Sequence, residues 1–152
     1  MKTDLVVAGF IFSKGRVLLV HHKKLGLWLP VGGHINRNET PDEALLREIK
    51  EEVGLDAEIL NVNRFPVRGT VKKNLAVPFH VNVHSAGDHE HCCLFYLCTA
   101  SNADKLSING ELKNYGWFSE RGLIKSTAPE DVRLMASMAF GLFRKNHRSS
   151  SE

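Results

Sequence analysis

Hydrophobic residues follow two different periods along this chain, and each period predicts a different kind of element. Runs rich in β-branched and apolar residues, separated by the turn-forming segment 13–16, open the chain. Apolar and polar residues alternate strictly near residue 80, and an apolar run follows after residue 90. These two patterns predict a second pair of strands. Strands are therefore predicted at Leu5–Phe12, Val17–His22, Asp56–Phe65, Phe79–His84 and His91–Ala100. Leu27–Val31 is a short apolar segment that leads to the glycines at 32 and 33.

Two segments instead carry apolar residues at helical spacing. The first has a complete set of end signals: Thr40 is a suitable N-cap, Pro41 suits the first helical position, Glu43 completes a capping box, and Gly54 is a stop. The second segment, Pro129–Arg144, has a stripe of apolar residues typical of a helix that packs on a sheet. The intervening segments Pro66–Asn74 and Ser101–Gly116 have the composition of loops.

This order of elements predicts an α/β (α+β) fold. We expect a sandwich of the α/β/α type, with a mixed, curved sheet between the first helix and the C-terminal helix. Residues 1–144 are predicted to form a single domain, and the polar segment 145–152 a disordered tail.

Composition indicates which partners and which cellular location to expect. The chain has 152 residues and a net charge of +3, a mild excess that fits anionic substrates without requiring nucleic acid. The three cysteines have no disulfide-like spacing, and no stretch approaches the about 20 apolar residues of a membrane span. We therefore expect a cytoplasmic protein with no membrane partner.

The first helix carries three glutamates on one arc. At 100° per residue, Glu48, Glu51 and Glu52 fall within about 100°, beside the apolar face and late in the helix. Like charges at this spacing cost a helix about 0.2–0.5 kcal/mol per pair, and the macrodipole disfavours anions at this end. A hard cation such as Mg²⁺ or Mn²⁺ reverses these effects, because it prefers clustered carboxylates. A solvated charged face is the alternative interpretation of the same residues.

The glutamates belong to a longer motif that resembles the box of the Nudix hydrolase family. Gly33, five residues, Glu39, seven residues and then the run Arg47–Leu55 match that box without a gap. The order of elements on either side is also similar to a Nudix domain. The resemblance implies a metal-dependent enzyme that cleaves a diphosphate linkage in a nucleoside diphosphate derivative, by water attack at phosphorus.

The resemblance also implies roles for individual residues. Glu48, Glu51 and Glu52 correspond to Mg²⁺ or Mn²⁺ ligands of the family, and the carbonyl of Gly32 to a further ligand. Glu111 lies ahead of a Trp-Phe pair, as does a glutamate that joins the metal site or acts as base in several members. Which carboxylate accepts the proton is left open.

Two further box positions imply a structural pair. Arg47 and Glu39 match residues that bind each other in the family and hold the glycine loop against the helix. A charge-assisted pair of this kind fixes geometry as well as energy.

Three interpretations of the histidine-rich strand pair stay open. The polar row could form a wall of the substrate pocket, bind zinc, or consist of ordinary surface and core histidines. Zinc would need four ligands, and the spacing matches no recognised Cys/His framework. The substrate interpretation selects His80, His84 and His91, with Arg68 from the preceding basic loop. The zinc interpretation draws on His80, His84, His89, His91, Cys92 and Cys93.

The substrate itself is not encoded in the box. We expect a small-molecule nucleotide and do not expect nucleic acid, since the chain shows no RNA-binding module. The alternative function is a catalytically weak domain that senses a nucleotide, although a pure sensor has no need for three clustered carboxylates. The resemblance allows a homodimer, but no sequence feature decides the oligomeric state.

Overall fold

The computed structural model describes residues 1–62 and 64–150, with side chains up to residue 146. Within these residues, the chain forms eight strands and three α-helices. The strands are β1 (Thr3–Ser13), β2 (Arg16–His22), β3 (Trp28–Leu29), β4 (Val31–His34), β5 (Ala57–Ile59), β6 (His80–Ser85), β7 (Glu90–Ala100) and β8 (Leu112–Phe118). The helices are α1 (Pro41–Val53), α2 (Glu120–Ile124) and α3 (Glu130–Ser150).

Strand β1 is the centre of a single mixed sheet. It pairs in parallel with β7 over ten positions, from Thr3 opposite Glu90 to Phe12 opposite Thr99. On its other side it pairs antiparallel with β4 along its first half and with β2 at its end. Further from β1, β2 pairs with β8, and β7 pairs with both β5 and β6. The predicted mixed sheet is confirmed.

The two faces of this sheet carry separate apolar cores because side chains alternate along each strand. On one face, Val7 and Ile11 of β1 pack with Leu45 and Ile49 of α1. On the other face, the alternate residues of β1 and β7 pack with the apolar stripe of α3. That stripe comprises Val132, Met135, Ala136, Ala139 and Phe140. The sheet therefore lies between the two helices, as the sequence predicts.

Helix α1 begins and ends where its signals place it. Thr40 Oγ1 accepts from the amide of Glu43 at 3.2 Å, and the Glu43 carboxylate accepts from the Thr40 amide at 3.4 Å. Gly54 has φ 67°, and its N–H donates to the carbonyl of Lys50 at 3.0 Å. Because both ends are defined by local chemistry, the phase of the glutamates on the helix is fixed as well.

Two predicted boundaries in the middle of the chain were wrong. The segment 101–116 is not all loop, because β8 begins at Leu112, whose side chain is buried in the core under α1. The strand predicted at Asp56–Phe65 is limited to Ala57–Ile59, since only this stretch pairs with β7. Among its described residues, which exclude residue 63, the rest of this segment has one isolated bridge, between Val62 and Ala76.

The C-terminal helix also extends further than predicted. Helix α3 continues to Ser150, so the backbone of 145–150 is helical where the sequence predicted a disordered tail. No glycine or proline follows Gly141, and the polar side chains of this stretch do not interrupt a helix that is already formed. Residues 151–152 lie outside the described residues.

Among the residues that the structure describes, no helix has the length and hydropathy needed to cross a bilayer.

Candidate active site

The three glutamates of α1 occupy three different environments. Glu52 is 3% exposed and is the one charged residue among the buried side chains of the described chain. The side chain of Glu48 is 16% exposed, and that of Glu51 is 56% exposed. The predicted arc therefore runs from the protein interior to solvent.

Two glycines of β4 form the wall against which these carboxylates lie. A Cβ atom on Gly33 would be 2.4 Å from the Glu48 carboxyl carbon, so a side chain here would displace that carboxylate. A Cβ atom on Gly32 would be 2.0 Å from the backbone carbonyl oxygen of Val7, where nothing can give way. The glycine pair thus allows the backbone of β4 to approach both β1 and α1.

Burial among like charges shifts the protonation of the inner two carboxyls. Burial, and then the negative charge of Glu48, raises the pKa of Glu52 to about 8, although the backbone of Gly32 partly offsets this. Burial likewise raises the pKa of Glu48, while its hydrogen bond with Arg47 acts in the opposite direction. One carboxylate oxygen of Glu52, Oε2, is buried without a hydrogen-bond partner in the described structure. These are the properties of an oxygen that a cation would satisfy.

Arg47 binds the glycine loop and the glutamates at the same time. Its Nε and Nη2 donate to the two carboxylate oxygens of Glu39 at 2.7 and 3.0 Å, the bidentate pair that the resemblance implies. Nη2 also donates to the carbonyl of His34 at 3.0 Å. Nη1 reaches Glu48 at 2.9 Å and Glu51 at 3.2 Å, contacts that the sequence did not predict. Arg47 therefore orients two of the carboxylates directly, in addition to holding the loop.

The loop that carries Glu111 is tied to the end of α1. The amide of Asn109 donates to the carbonyl of Glu52 at 2.9 Å, and the amide of Ser107 donates to the carbonyl of Val53 at 3.0 Å. Asn109 then accepts from the amide of Glu111 through its side chain at 3.1 Å. The negative charge of Glu111 is close enough to raise the pKa of both Glu48 and Glu52. The structure thus brings Glu111 to the α1 carboxylates, and Asn109, which the sequence analysis missed, holds its loop there.

Comparison with known proteins gives a match to one family. The family model for the NUDIX domain matches residues 2–138. The chain belongs to the Nudix hydrolase family. This confirms the family, the fold and the class of enzyme that the sequence predicts, a hydrolase acting on acid anhydrides.

Individual relatives share about a third of their residues with this Nudix chain. It is 30% identical to the nucleoside triphosphatase NudI of Enterobacter sp. (strain 638), over 72% of this chain and 73% of that protein. It is 33% identical to an RNA pyrophosphohydrolase of Stutzerimonas stutzeri, over 68% of this chain and 66% of that protein. A crystal structure of a NUDIX-family hydrolase from Clostridium perfringens superposes with a TM-score of 0.79 and 33% identity, covering 94% of this chain and 99% of that one.

The histidine row of this Nudix domain lies on the face of the sheet opposite α1. His80, Asn82 and His84 of β6 pair with Phe95, Cys93 and His91 of β7, so the two polar rows meet across the strand pair as the alternation indicates. In β6 the apolar side chains are the exposed ones and the polar side chains are the half-buried ones. Val81 and Val83 are 50% and 57% exposed, whereas the polar row is half-buried toward the α3 side.

The structure divides the residues of the zinc interpretation. His89 and His91 converge with Asp4 of β1 and His34 of β4, two residues that the sequence analysis did not connect with them. Cys93 belongs to the apolar core under α3, and burial raises the pKa of its thiol to about 12. Neither cysteine belongs to the cluster among the residues that the structure describes. No sequence signal could have found it, because its members lie far apart in the chain.

Arg68 lies on an exposed loop away from regular structure. Its carbonyl accepts from the amide of Val71 at 3.2 Å, which closes a turn. The far end of this loop is attached to α1, since Asp42 accepts from the amide of Ala76 at 3.0 Å. The structure thus brings the base of the loop, though not Arg68 itself, to the start of the box helix.

Proposed function

We propose that this Nudix protein is a metal-dependent pyrophosphohydrolase. It cleaves a diphosphate linkage in a nucleoside di- or triphosphate derivative by attack of water at phosphorus. The observation that carries the proposal is the buried, partnerless oxygen of Glu52 beside Glu48, within the field of Glu111. An ionised Glu52 is unfavourable in this position without a cation, so its retention in the core of the site has a chemical cause.

The donor set fits a hard divalent cation. Glu48, Glu51 and Glu52 offer carboxylate oxygens on one helix, and the Gly32 carbonyl is the further ligand that the resemblance implies. Mg²⁺ and Mn²⁺ prefer such oxygen ligands over nitrogen and sulfur. When bound, Mg²⁺ neutralises phosphate charge and lowers the pKa of a coordinated water. The site contains no histidine or cysteine among its proposed ligands, which argues against a softer metal here.

The protein groups around the cation would then divide the remaining work. Glu52 and Glu48 stay ionised once their charge is compensated, and Arg47 holds the carboxylate of Glu48 in one orientation. Glu111, on an exposed loop, is free to accept the proton of the attacking water, and Glu52 is the alternative acceptor. Glu39 fixes Arg47, so its contribution is to keep the loop and the helix in register.

The names of the relatives and the charge of the chain support a substrate class. One relative is named a nucleoside triphosphatase and another an RNA pyrophosphohydrolase. We assign this chain a small-molecule nucleoside triphosphate or a related derivative as substrate. Its net charge of +3 favours anionic ligands without the large basic surface of a nucleic-acid-binding protein.

A substrate panel tests the proposal. Canonical nucleoside triphosphates, dinucleoside polyphosphates, nucleotide sugars and 5′-triphosphate RNA are incubated with Mg²⁺, Mn²⁺ or chelator, and pyrophosphate and phosphate release are measured. We expect turnover of at least one small nucleotide that chelator abolishes. Full activity in chelator would exclude the metal mechanism, and activity on RNA alone would replace the substrate class.

His80, His84 and Arg68 remain proposed substrate contacts, whereas His91 lies in the cluster with Asp4, His34 and His89. His80 and His84 face the α3 side of the sheet, beside Phe95 and His91 respectively. If they bind phosphate or ribose oxygens, His80→Ala and His84→Ala will raise KM more than they lower kcat. Arg68→Ala, in a phosphate contact, will do the same. Unchanged kinetics in all three variants would return these residues to an ordinary surface role.

A further inference from the structure

Three strands of the sheet bring four metal-ligating side chains to one point outside the proposed active site. Asp4 is at the start of β1, His34 at the end of β4, His91 at the start of β7, and His89 in the turn just before it. The ligand atoms of these four residues all lie within 4.8 Å of one another. Asp4 is opposite His91 in the parallel ladder, and Val6 is opposite His34, so the sheet register itself creates the cluster.

Two of the distances between ligand atoms match the dimensions of a tetrahedral site, and the remaining ones are within 4.8 Å. With bonds of about 2.0–2.1 Å, neighbouring ligand atoms on a tetrahedral Zn²⁺ lie about 3.3 Å apart. Here His34 Nε2 is 3.2 Å from Asp4 Oδ2, and His89 Nε2 is 3.1 Å from His91 Nε2. The third measured edge, from His89 Nε2 to Asp4 Oδ2, is 3.8 Å.

The outer contacts of the cluster leave these atoms available. Asp4 binds Lys2 through its other oxygen, Oδ1, at 3.3 Å, so Oδ2 faces the histidines. His89 contacts Asp88 through Nδ1 at 2.7 Å, which fixes the ring and leaves Nε2 directed at His91 and Asp4. A carboxylate on the far nitrogen of a metal-binding histidine is the usual arrangement, since it sets the tautomer and increases ligand basicity.

Two imidazoles that approach each other through the same kind of nitrogen also need an explanation. A hydrogen bond between His89 Nε2 and His91 Nε2 requires one of these nitrogens to carry a proton and the other to carry none. The rings of His34 and His84 also contact His91. Burial, followed by the neighbouring histidines, lowers the pKa of His91. A neutral imidazole is the form that binds a metal.

We propose that Asp4, His34, His89 and His91 form a second metal site, selective for zinc or a similar borderline divalent cation. Three nitrogens and one carboxylate oxygen suit Zn²⁺, whereas the all-oxygen set on α1 suits Mg²⁺. The two sites are chemically distinct and lie on different faces of the sheet. A cation here would join β1, β4 and β7, and His34 is also the residue whose carbonyl binds Arg47.

Metal binding by untagged protein tests this site directly. Protein stripped with chelator is titrated with Zn²⁺ in millimolar Mg²⁺, which occupies the carboxylates of α1, and then with Co²⁺ as a spectroscopic probe. A Glu48→Gln/Glu52→Gln background removes the other site altogether. We expect one Zn²⁺ per chain in both proteins, a raised Tm on binding, and the intense visible absorption of tetrahedral Co²⁺. Stoichiometry below one zinc per chain in both proteins, or a weak octahedral Co²⁺ spectrum, would overturn the proposal.

Matched variants assign the ligands. His91→Gln and Asp4→Asn should weaken Zn²⁺ affinity by at least about 100-fold, and Asp88→Asn by about 10- to 100-fold, as for the loss of an outer carboxylate. His80→Gln, in the same polar row but outside the cluster, should leave the affinity unchanged. Equal affinity in His91→Gln and His80→Gln would show that the cluster is a hydrogen-bonded network instead. If a variant fails to fold, the stoichiometry and Co²⁺ spectrum of the wild-type protein still decide, and neither result depends on hydrolase activity.

Discussion

At the scale of single residues, Glu52 is the side chain on which the chemistry depends most. It is 3% exposed, one of its oxygens has no partner in the described structure, and its pKa is raised to about 8. A residue kept in so unfavourable an environment is typical of a functional site rather than of a stable core.

We expect Glu52→Gln to lower kcat by at least about 100-fold, which corresponds to about 3 kcal/mol of lost transition-state stabilisation. The fold should persist, because the change removes a buried carboxylate that is repelled by Glu48. Steady-state kinetics with Mg²⁺ and a thermal melt measure the two effects. Glu58→Gln, an exposed carboxylate on β5, is the control and should keep wild-type turnover. Wild-type kcat in Glu52→Gln would refute the proposed metal ligand.

Gly33 is a second residue on which the site depends, because a side chain at this position would contact Glu48. In Gly33→Ala, the new Cβ would lie 2.4 Å from the Glu48 carboxyl carbon, so the carboxylate must move. We expect a loss of kcat of about 10-fold or more, because misplacement of a catalytic group by about 1 Å is costly. The midpoint of Mg²⁺ activation should also rise.

The matched control for Gly33→Ala is Gly141→Ala on α3. Nothing lies within 4 Å of a Cβ atom at Gly141, and alanine favours a helix over glycine. Its activity should be unchanged and its stability slightly higher. An active Gly33→Ala with an unaltered Mg²⁺ midpoint would mean that the contact with Glu48 is not needed for catalysis.

At the scale of elements, the connection between β4 and α1 behaves as one unit held by Arg47. The guanidinium contacts both oxygens of Glu39, the His34 carbonyl and two glutamates of the helix. Loss of such a partner leaves several acceptors unpaired, and a charged hydrogen bond contributes about 1.5–3 kcal/mol.

We therefore expect Arg47→Ala to lower Tm by about 4–8 °C, as about 2 kcal/mol would do in a domain of this size. Turnover should fall in the same variant, since Glu48 and Glu51 lose the group that orients them. Differential scanning calorimetry and Mg²⁺-dependent kinetics separate the two effects. The control is Lys50→Ala on the same helix, which removes an exposed ion pair with Asp56. It should change Tm and turnover only slightly. Lost turnover with a wild-type Tm and unchanged Mg²⁺ affinity in Arg47→Ala would instead assign this arginine to direct contact with substrate.

At the scale of the whole molecule, the buried carboxyl makes the stability of the metal-free protein depend on pH. The pKa of Glu52 is raised in the folded state from its ordinary value of 4.5 to about 8, so the folded protein binds a proton more tightly than the unfolded chain. The stabilisation from this group is complete below about pH 4.5 and is lost as pH rises toward about 8.

We expect the Tm of wild-type protein in chelator to fall more between about pH 5 and about pH 8 than that of Glu52→Gln. The two proteins are compared by the difference between their Tm profiles. This is needed because burial lowers the pKa of His22 and His91, and these histidines make stability rise with pH in both proteins. Saturating Mg²⁺ should remove the difference by compensating the charge. Parallel Tm profiles for the two proteins in chelator would show that Glu52 does not titrate in this range.

The sequence by itself determined those features whose signals are local. The ends of α1 follow from Thr40, Glu43 and Gly54, each acting on backbone groups within one turn. The phase of the three glutamates then follows from helix geometry, and the pairing of Arg47 with Glu39 from the box motif. The alternation in β6 and β7 also predicted which side chains share a face.

Tertiary structure decided the features that depend on which strands are neighbours. The pattern in β6 does not say which face is buried, because an edge strand with exposed Val81 and Val83 has the same alternation as a strand turned the other way. β8 was hidden in a polar segment because pairing with β2, not composition, makes it a strand. Asp4, His34, His89 and His91 converge only because β1 pairs with both β4 and β7 in one register. Local signals act over a few residues, whereas such contacts join positions as much as 87 apart in the chain, from Asp4 to His91.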